Sequence, residues 1–166
     1  MLKRLASRGA LLIAVAVVVP ALGIWILLGT PVPWSTHGQA TRSLGELQAA
    51  GRVIYRTNCA RCHGEQGEGQ PNWQTPLADG TFGAPPHNGS GHTWHHADGL
   101  LFHIVREGGQ YGAPAGFKST MPAWQGTLTD QQIVAVLEYI KTMWEPWERE
   151  AQATSSMQNP YPPRVR

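Results

Sequence analysis

Residues 51–64 read GRVIYRTNCARCHG, and the order of side chains from Cys59 to His63 governs everything else in the chain. On a helical turn, positions i and i+3 share a face, so Cys59 and Cys62 point the same way and His63 follows directly. Three chemistries use such a pair. A dithiol redox centre belongs in the strand-to-helix turn of an α/β fold, and this sequence shows almost no alternating strand pattern. Zinc needs two ligands beyond Cys59 and Cys62, the chain's two cysteines, and the histidine cluster could in principle supply them. The third is covalent haem attachment, for which C-x-x-C-H is the motif: each thiol forms a thioether with a vinyl group and the imidazole meets the iron. Haem c is the favoured reading.

The flanks support it. From Ser43 to Thr57, Leu44, Leu47, Ala50 or Gly51, and Ile54 recur at helical spacing, giving a helix that runs into Cys59. Between Gly64 and Thr93 lie turn-rich stretches, GEQGEG, TPLADG and APPHNGSG. About thirty residues without a periodic core are unusual unless they wrap a ligand. A second helix is expected from about Ala97, with Asp98 capping LLFHIVREGG, an apolar face of Leu101, Ile104 and Val105, and Gly108 and Gly109 ending it. The third is the clearest: Thr129 and Gln132 make a capping-box pattern, and Ile133, Val136, Leu137, Ile140 and Trp144 form one stripe. Pro146 starts a short helix, WEREAQ, before a Pro-rich end, NPYPPRVR, expected to be disordered.

A chain of 166 residues holds one ordinary domain, and 19 Gly, 13 Pro and only 14% charged residues fit a fold with much irregular loop. Charge is uneven. Lys3, Arg4 and Arg8 precede an uncharged run, Ala10 to Leu28, whereas from Thr41 onward ten Lys/Arg face eleven Asp/Glu, a balance of −1. No basic face remains for nucleic acid. The run ALLIAVAVVVPALGIWILL is long enough to cross a bilayer, since roughly 20 apolar residues suffice, and longer than the h-region of a cleaved signal. Residues 1–29 are therefore expected to be an uncleaved anchor or signal, residues 30–41 a tether, residues 42–146 the globular domain and residues 147–166 a partly disordered extension. The positive flank places the N-terminus in the cytoplasm and the domain on the outer, periplasmic side of the inner membrane.

With these segments in view, the chain resembles the class I c-type cytochromes, the monohaem members of the small soluble cytochrome c family. The resemblance covers roughly Leu44 to Trp144 and rests on three segments in order: Gly51 and Tyr55 ahead of CxxCH, Met121-Pro122-Ala123-Trp124, and Leu137-Glu138-Tyr139-Ile140. It implies an all-α, cytochrome c-like fold, a few helices and long loops around one covalent haem, here preceded by one N-terminal transmembrane helix. It implies that the first and last helices cross at Gly51 and Tyr139, that Cys59 and Cys62 hold haem c, and that His63 and Met121 are its axial iron ligands. It implies, too, that a Pro carbonyl in the loop after the motif accepts the His63 Nδ1 proton, a role for which Pro71 and Pro76 compete. Met121 is also the one methionine in a loop of the globular part, since Met1 starts the chain, Met143 lies in the last helix and Met157 in the tail.

Five of the seven histidines fall within residues 87–103, HNGSGHTWHHADGLLFH. A solvated loop near the haem edge is one reading. In a second, His92 or Trp94 donates an N–H to a haem propionate. In a third, His92, His95 and His96 bind a separate metal such as copper, the basis for a sensor or metal-handling role. A haem with two histidine ligands, one of them replacing Met121, is a lesser alternative. The functional expectation is a one-electron carrier rather than an enzyme, because His/Met ligation raises the potential and leaves no open iron position. Its partners would be a terminal oxidase, a quinol-oxidising complex or a dehydrogenase, with a fixed subunit of such a complex as the alternative.

Overall fold

Ser43 begins the first helix with a reciprocal cap. Its hydroxyl accepts the Glu46 amide at 3.3 Å, and the Glu46 carboxylate accepts the Ser43 amide at 2.8 Å. In this computed structural model, which describes residues 43–165, helix α1 spans Leu44–Asn58 and the single turn α2 spans Ala60–His63. A 3-10 turn at Thr93–His95 precedes α3, Asp98–Glu107; α4 follows at Asp130–Ile140, then a 3-10 turn at Lys141–Met143 and α5 at Pro146–Gln158. Among the described residues there is no strand, only an isolated bridge between Gln125 and Leu128. The expected membrane span and tether lie outside the described residues, within which no helix is long and apolar enough to cross a membrane.

Helices α1 and α4 make the principal crossing, and Gly51 permits it. A Cβ there would stand 1.9 Å from the Ala135 carbonyl oxygen and 2.9 Å from the Tyr139 Cβ. The expected Gly51–Tyr139 meeting is present, with the Ala135 backbone closer still. All five residues of the α4 stripe are buried, and the Thr129–Gln132 capping box forms as its sequence predicts. Tyr55, Phe102, Ile133 and Val136 are fully buried, and each of the three apolar side chains Phe102, Ile133 and Val136 contributes about 1.5–3 kcal/mol.

Two expectations are corrected. Asp98 does not cap α3: Ala97 holds the cap position, the Ser156 hydroxyl accepts the Asp98 amide at 3.0 Å, and the Asp98 carboxylate instead pairs with Lys141 at 2.7 Å. The chain beyond Trp144 is not a short helix with a loose end. Helix α5 runs for 13 residues, started by Pro146 and a reciprocal Glu145–Glu148 cap, and it buries Glu148, Gln152 and Ser156. Gln152 Nε2 donates to Asp98 at 2.8 Å and to the His96 carbonyl at 3.2 Å, while Tyr161 donates to Glu138 at 2.9 Å. Polar residues did this docking, so no apolar stripe announced it in the sequence.

Candidate functional site

Helix α1 delivers the motif. The Cys59 amide closes on the Tyr55 carbonyl at 2.8 Å, and the amides of Cys62 and His63 then turn back onto the Cys59 carbonyl at 3.1 and 3.0 Å. No disulfide joins the two cysteines, of which Cys59 is half-buried and Cys62 exposed. Burial, with Cys62 adding to it, pushes the Cys59 thiol up to about 11, so it is protonated at neutral pH.

His63 is 6% exposed, and its Nδ1 donates to the Pro85 carbonyl at 2.8 Å. Burial lowers the imidazole's affinity for a proton, partly opposed by that bond. The ring is therefore neutral with its hydrogen on Nδ1, which leaves the Nε2 lone pair for a metal.

Pro85 replaces both proline candidates. Pro71 and Pro76 are exposed and belong to an excursion that the chain pinches off: the Gln70 amide donates to the Ala84 carbonyl at 2.9 Å, and the Ala84 amide to the Gln70 side chain at 2.9 Å. Residues 71–83 loop out, and Pro85 takes the place that follows Gln70. Glycines tighten the same wall. Gly69 (φ +70°) donates to the His63 carbonyl at 2.8 Å, and a Cβ on it would lie 2.6 Å from the Pro86 nitrogen.

The structure adds His87, one of the five histidines clustered in residues 87–103. Its ring stacks on His63 with centroids 3.8 Å apart and planes 16° apart, and it meets Tyr55 edge-on at 5.8 Å. Burial first, then the neighbouring His63 and His92, holds its proton affinity well below the usual range. The His87 amide donates to the Gly67 carbonyl at 2.7 Å, and Trp144 Nε1 donates to the His87 carbonyl at 2.7 Å. Only the crowding of histidines in the sequence hinted at it.

The other histidines disperse. His92 is exposed and stacks on Trp73 at 5.3 Å; His95 is exposed and stacks on Trp94 at 3.6 Å; His103 pairs with Glu107 at 2.6 Å. His92 and His96 touch edge to face at 5.1 Å. Among the described residues no three His, Cys, Asp or Glu side chains gather where they would hold a metal ion. Trp94 is half-buried and packs edge-on against the exposed Trp147 at 5.0 Å. Among the described residues, the buried side-chain nitrogens with no partner are Trp94 Nε1 and His87 Nδ1.

Met121 sits half-buried against the core in a loop edged onto the end of α3. Its amide donates to the Ser119 hydroxyl at 3.1 Å, and its carbonyl accepts the Gly109 amide at 3.2 Å. Trp124 and Gln125 donate to the carbonyls of Val105 and Arg106 at 3.2 and 2.9 Å, fixing the loop's far end.

With this geometry in place, the comparison with known families is decisive: the model described as cytochrome c oxidase, cbb3-type, subunit III matches residues 46–140. The chain belongs to that family. It is a monohaem c-type cytochrome, and its cofactor is covalently bound haem c. No solved structure matches the chain. The residues of this cytochrome fit the cofactor on their own terms. Two thiols share one helical turn, a neutral buried imidazole keeps one nitrogen free, and two buried nitrogens lack the acceptor that a propionate would provide.

Proposed function

We propose that this cytochrome is a one-electron carrier in which Cys59 and Cys62 bear the thioether bonds, and His63 and Met121 ligate the iron. The observation that carries the reading is the buried His63 ring with Nδ1 committed to Pro85, an arrangement that orients the ring and raises its basicity toward a metal. Haem c supplies an iron that changes valence by one electron without bond rearrangement. The chain excludes water from the His63 face, fixes the ligand tautomer, and holds Met121 between the anchors at Ser119, Gly109 and Trp124. The Met121 thioether, supplied to the iron, would raise its potential and close it to substrates. Trp94, whose Nε1 is buried and unpartnered, is the better propionate donor; His92 is exposed and engaged with Trp73.

The absorption band at the red edge of the visible spectrum, characteristic of Met–Fe(III) ligation, tests this. It should be present in the wild-type protein and vanish in Met121→Ala, with a lowered midpoint potential. A Met121→Ala protein with an unchanged spectrum would sink the His/Met assignment.

The family description favours a more specific setting, that of a cytochrome subunit delivering electrons within or to a terminal oxidase. Residues 10–28 would anchor it in the inner membrane with the haem domain on the periplasmic side. Purification in mild detergent should then bring down an oxidase, and deletion of residues 1–29 behind a cleavable export signal should move the haem protein to the soluble fraction.

A further inference from the structure

The geometry points to His87 as a positioning residue that sets the rotation of the His63 imidazole plane. The inference rests on His63 being the iron ligand. The bond from Nδ1 to the Pro85 carbonyl fixes one end of the His63 ring. A single hydrogen bond at Nδ1 is soft, so the ring keeps some freedom to turn about its Cβ–Cγ bond. A flat face at 3.8 Å and 16° removes this freedom, and His87 presents one.

His87 is itself restrained at several points. Its amide is bonded to Gly67, its carbonyl to Trp144 Nε1, its ring meets the edge of Tyr55, and Pro86 limits the backbone before it. Its chemistry argues against a mere filler. A leucine would occupy the space without burying a polar atom, yet His87 Nδ1 is shut off from solvent with no protein partner.

The plane of an axial imidazole selects the iron d orbital with which its π system overlaps, and so sets the in-plane magnetic axes. The spread of the haem methyl shifts in the oxidised protein and the anisotropy of its EPR g values report that plane directly, independently of electron-transfer activity.

His87→Phe keeps the flat stack and removes the nitrogens; His87→Leu keeps bulk and removes the stack. The proposal expects Phe to retain the wild-type order and spread of methyl shifts, and Leu to change both, with a shifted g anisotropy. Wild-type signals in the Leu variant, or equal changes in both variants, would overturn it. Failure of both variants to bind haem would do the same, since packing specific to histidine would then be the requirement. A wild-type protein without the low-spin signature of nitrogen-ligated haem would instead overturn the His63 assignment, a result read before any variant is made.

Discussion

The two sides of the haem site are built differently. The His63 side is a wall of main-chain bonds: Gly69 on His63, His87 and Asn88 on Gly67, Gln70 on Ala84, with Trp144 and Tyr55 reaching in to His87 and Gly64. The Met121 side is a loop, residues 110–120, in which Gln110, Tyr111, Gly112 and Gly116 are exposed and few bonds reach the core. It is held by Gln110 to Phe117 and Ser119, and by Phe117 stacked on Phe82 at 4.9 Å. Of the two ligands proposed for the iron, one is thus fixed by architecture and the other by a strap. Ligand loss should begin at the methionine.

Matched glycines give the largest test. Gly69 and Gly116 both hold left-handed conformations, φ +70° and +86°, so alanine is strained at either. At Gly69 the new Cβ would also meet the backbone of Pro86, Pro85 and Ala84 at 2.6, 2.8 and 2.9 Å, whereas at Gly116 nothing lies within 4 Å. Gly69→Ala should cost about 2–5 kcal/mol, strain plus overpacking, and displace Pro85 from His63. Gly116→Ala should cost only about 1–2 kcal/mol. Urea unfolding of the haem-loaded proteins measures both, and equal costs would erase the distinction between wall and strap.

A smaller effect is expected where the strap meets the excursion. Phe117→Ala removes a stacked pair worth about 0.5–1.5 kcal/mol, so the Met121 loop should open up to about tenfold more often. Imidazole titration of the oxidised protein would show this as a correspondingly lower apparent Kd. An unchanged Kd would mean that the anchors at Ser119, Gly109 and Trp124 hold the methionine without the stacked pair.

The unequal construction also explains what the sequence discloses. Helices α1, α3 and α4 and the CxxCH turn were legible because each repeats a local rule over a few residues, and the Gly51 crossing only because the family resemblance implies it. Pro85 was not, because it reaches His63 only after the Gln70–Ala84 pinch discards residues 71–83, and no periodicity marks where a loop closes on itself. His87 was hidden among histidines that turn out to serve different neighbours. The docking of α5 escaped for another reason. Its buried face is Glu148, Gln152 and Ser156, a set that reads as solvent-facing in any hydropathy pattern.

That polar docking yields the smallest effect, and its sign is definite. Burial first, then the carboxylates of Glu138 and Asp98, hold the Tyr161 phenol far above its ordinary value of 10. Burial does the same for Tyr55 on the His63 side. Above about pH 10 the unfolded chain releases protons that the folded chain retains, so each group makes stability fall with rising pH, by up to ~1.4 kcal/mol per unit. Below that value the contribution is fully present. Tyr161→Phe removes one of these two groups, so the loss of stability between pH 10 and 11 should become about half as steep while Tyr55 still contributes. Urea midpoints at pH 9, 10 and 11 decide it. An unaltered slope would mean that Tyr161 reaches water when it ionises, and that the end of the chain is fastened to the α3–α4 junction more weakly than its bonds to Glu138 and Asp98 imply.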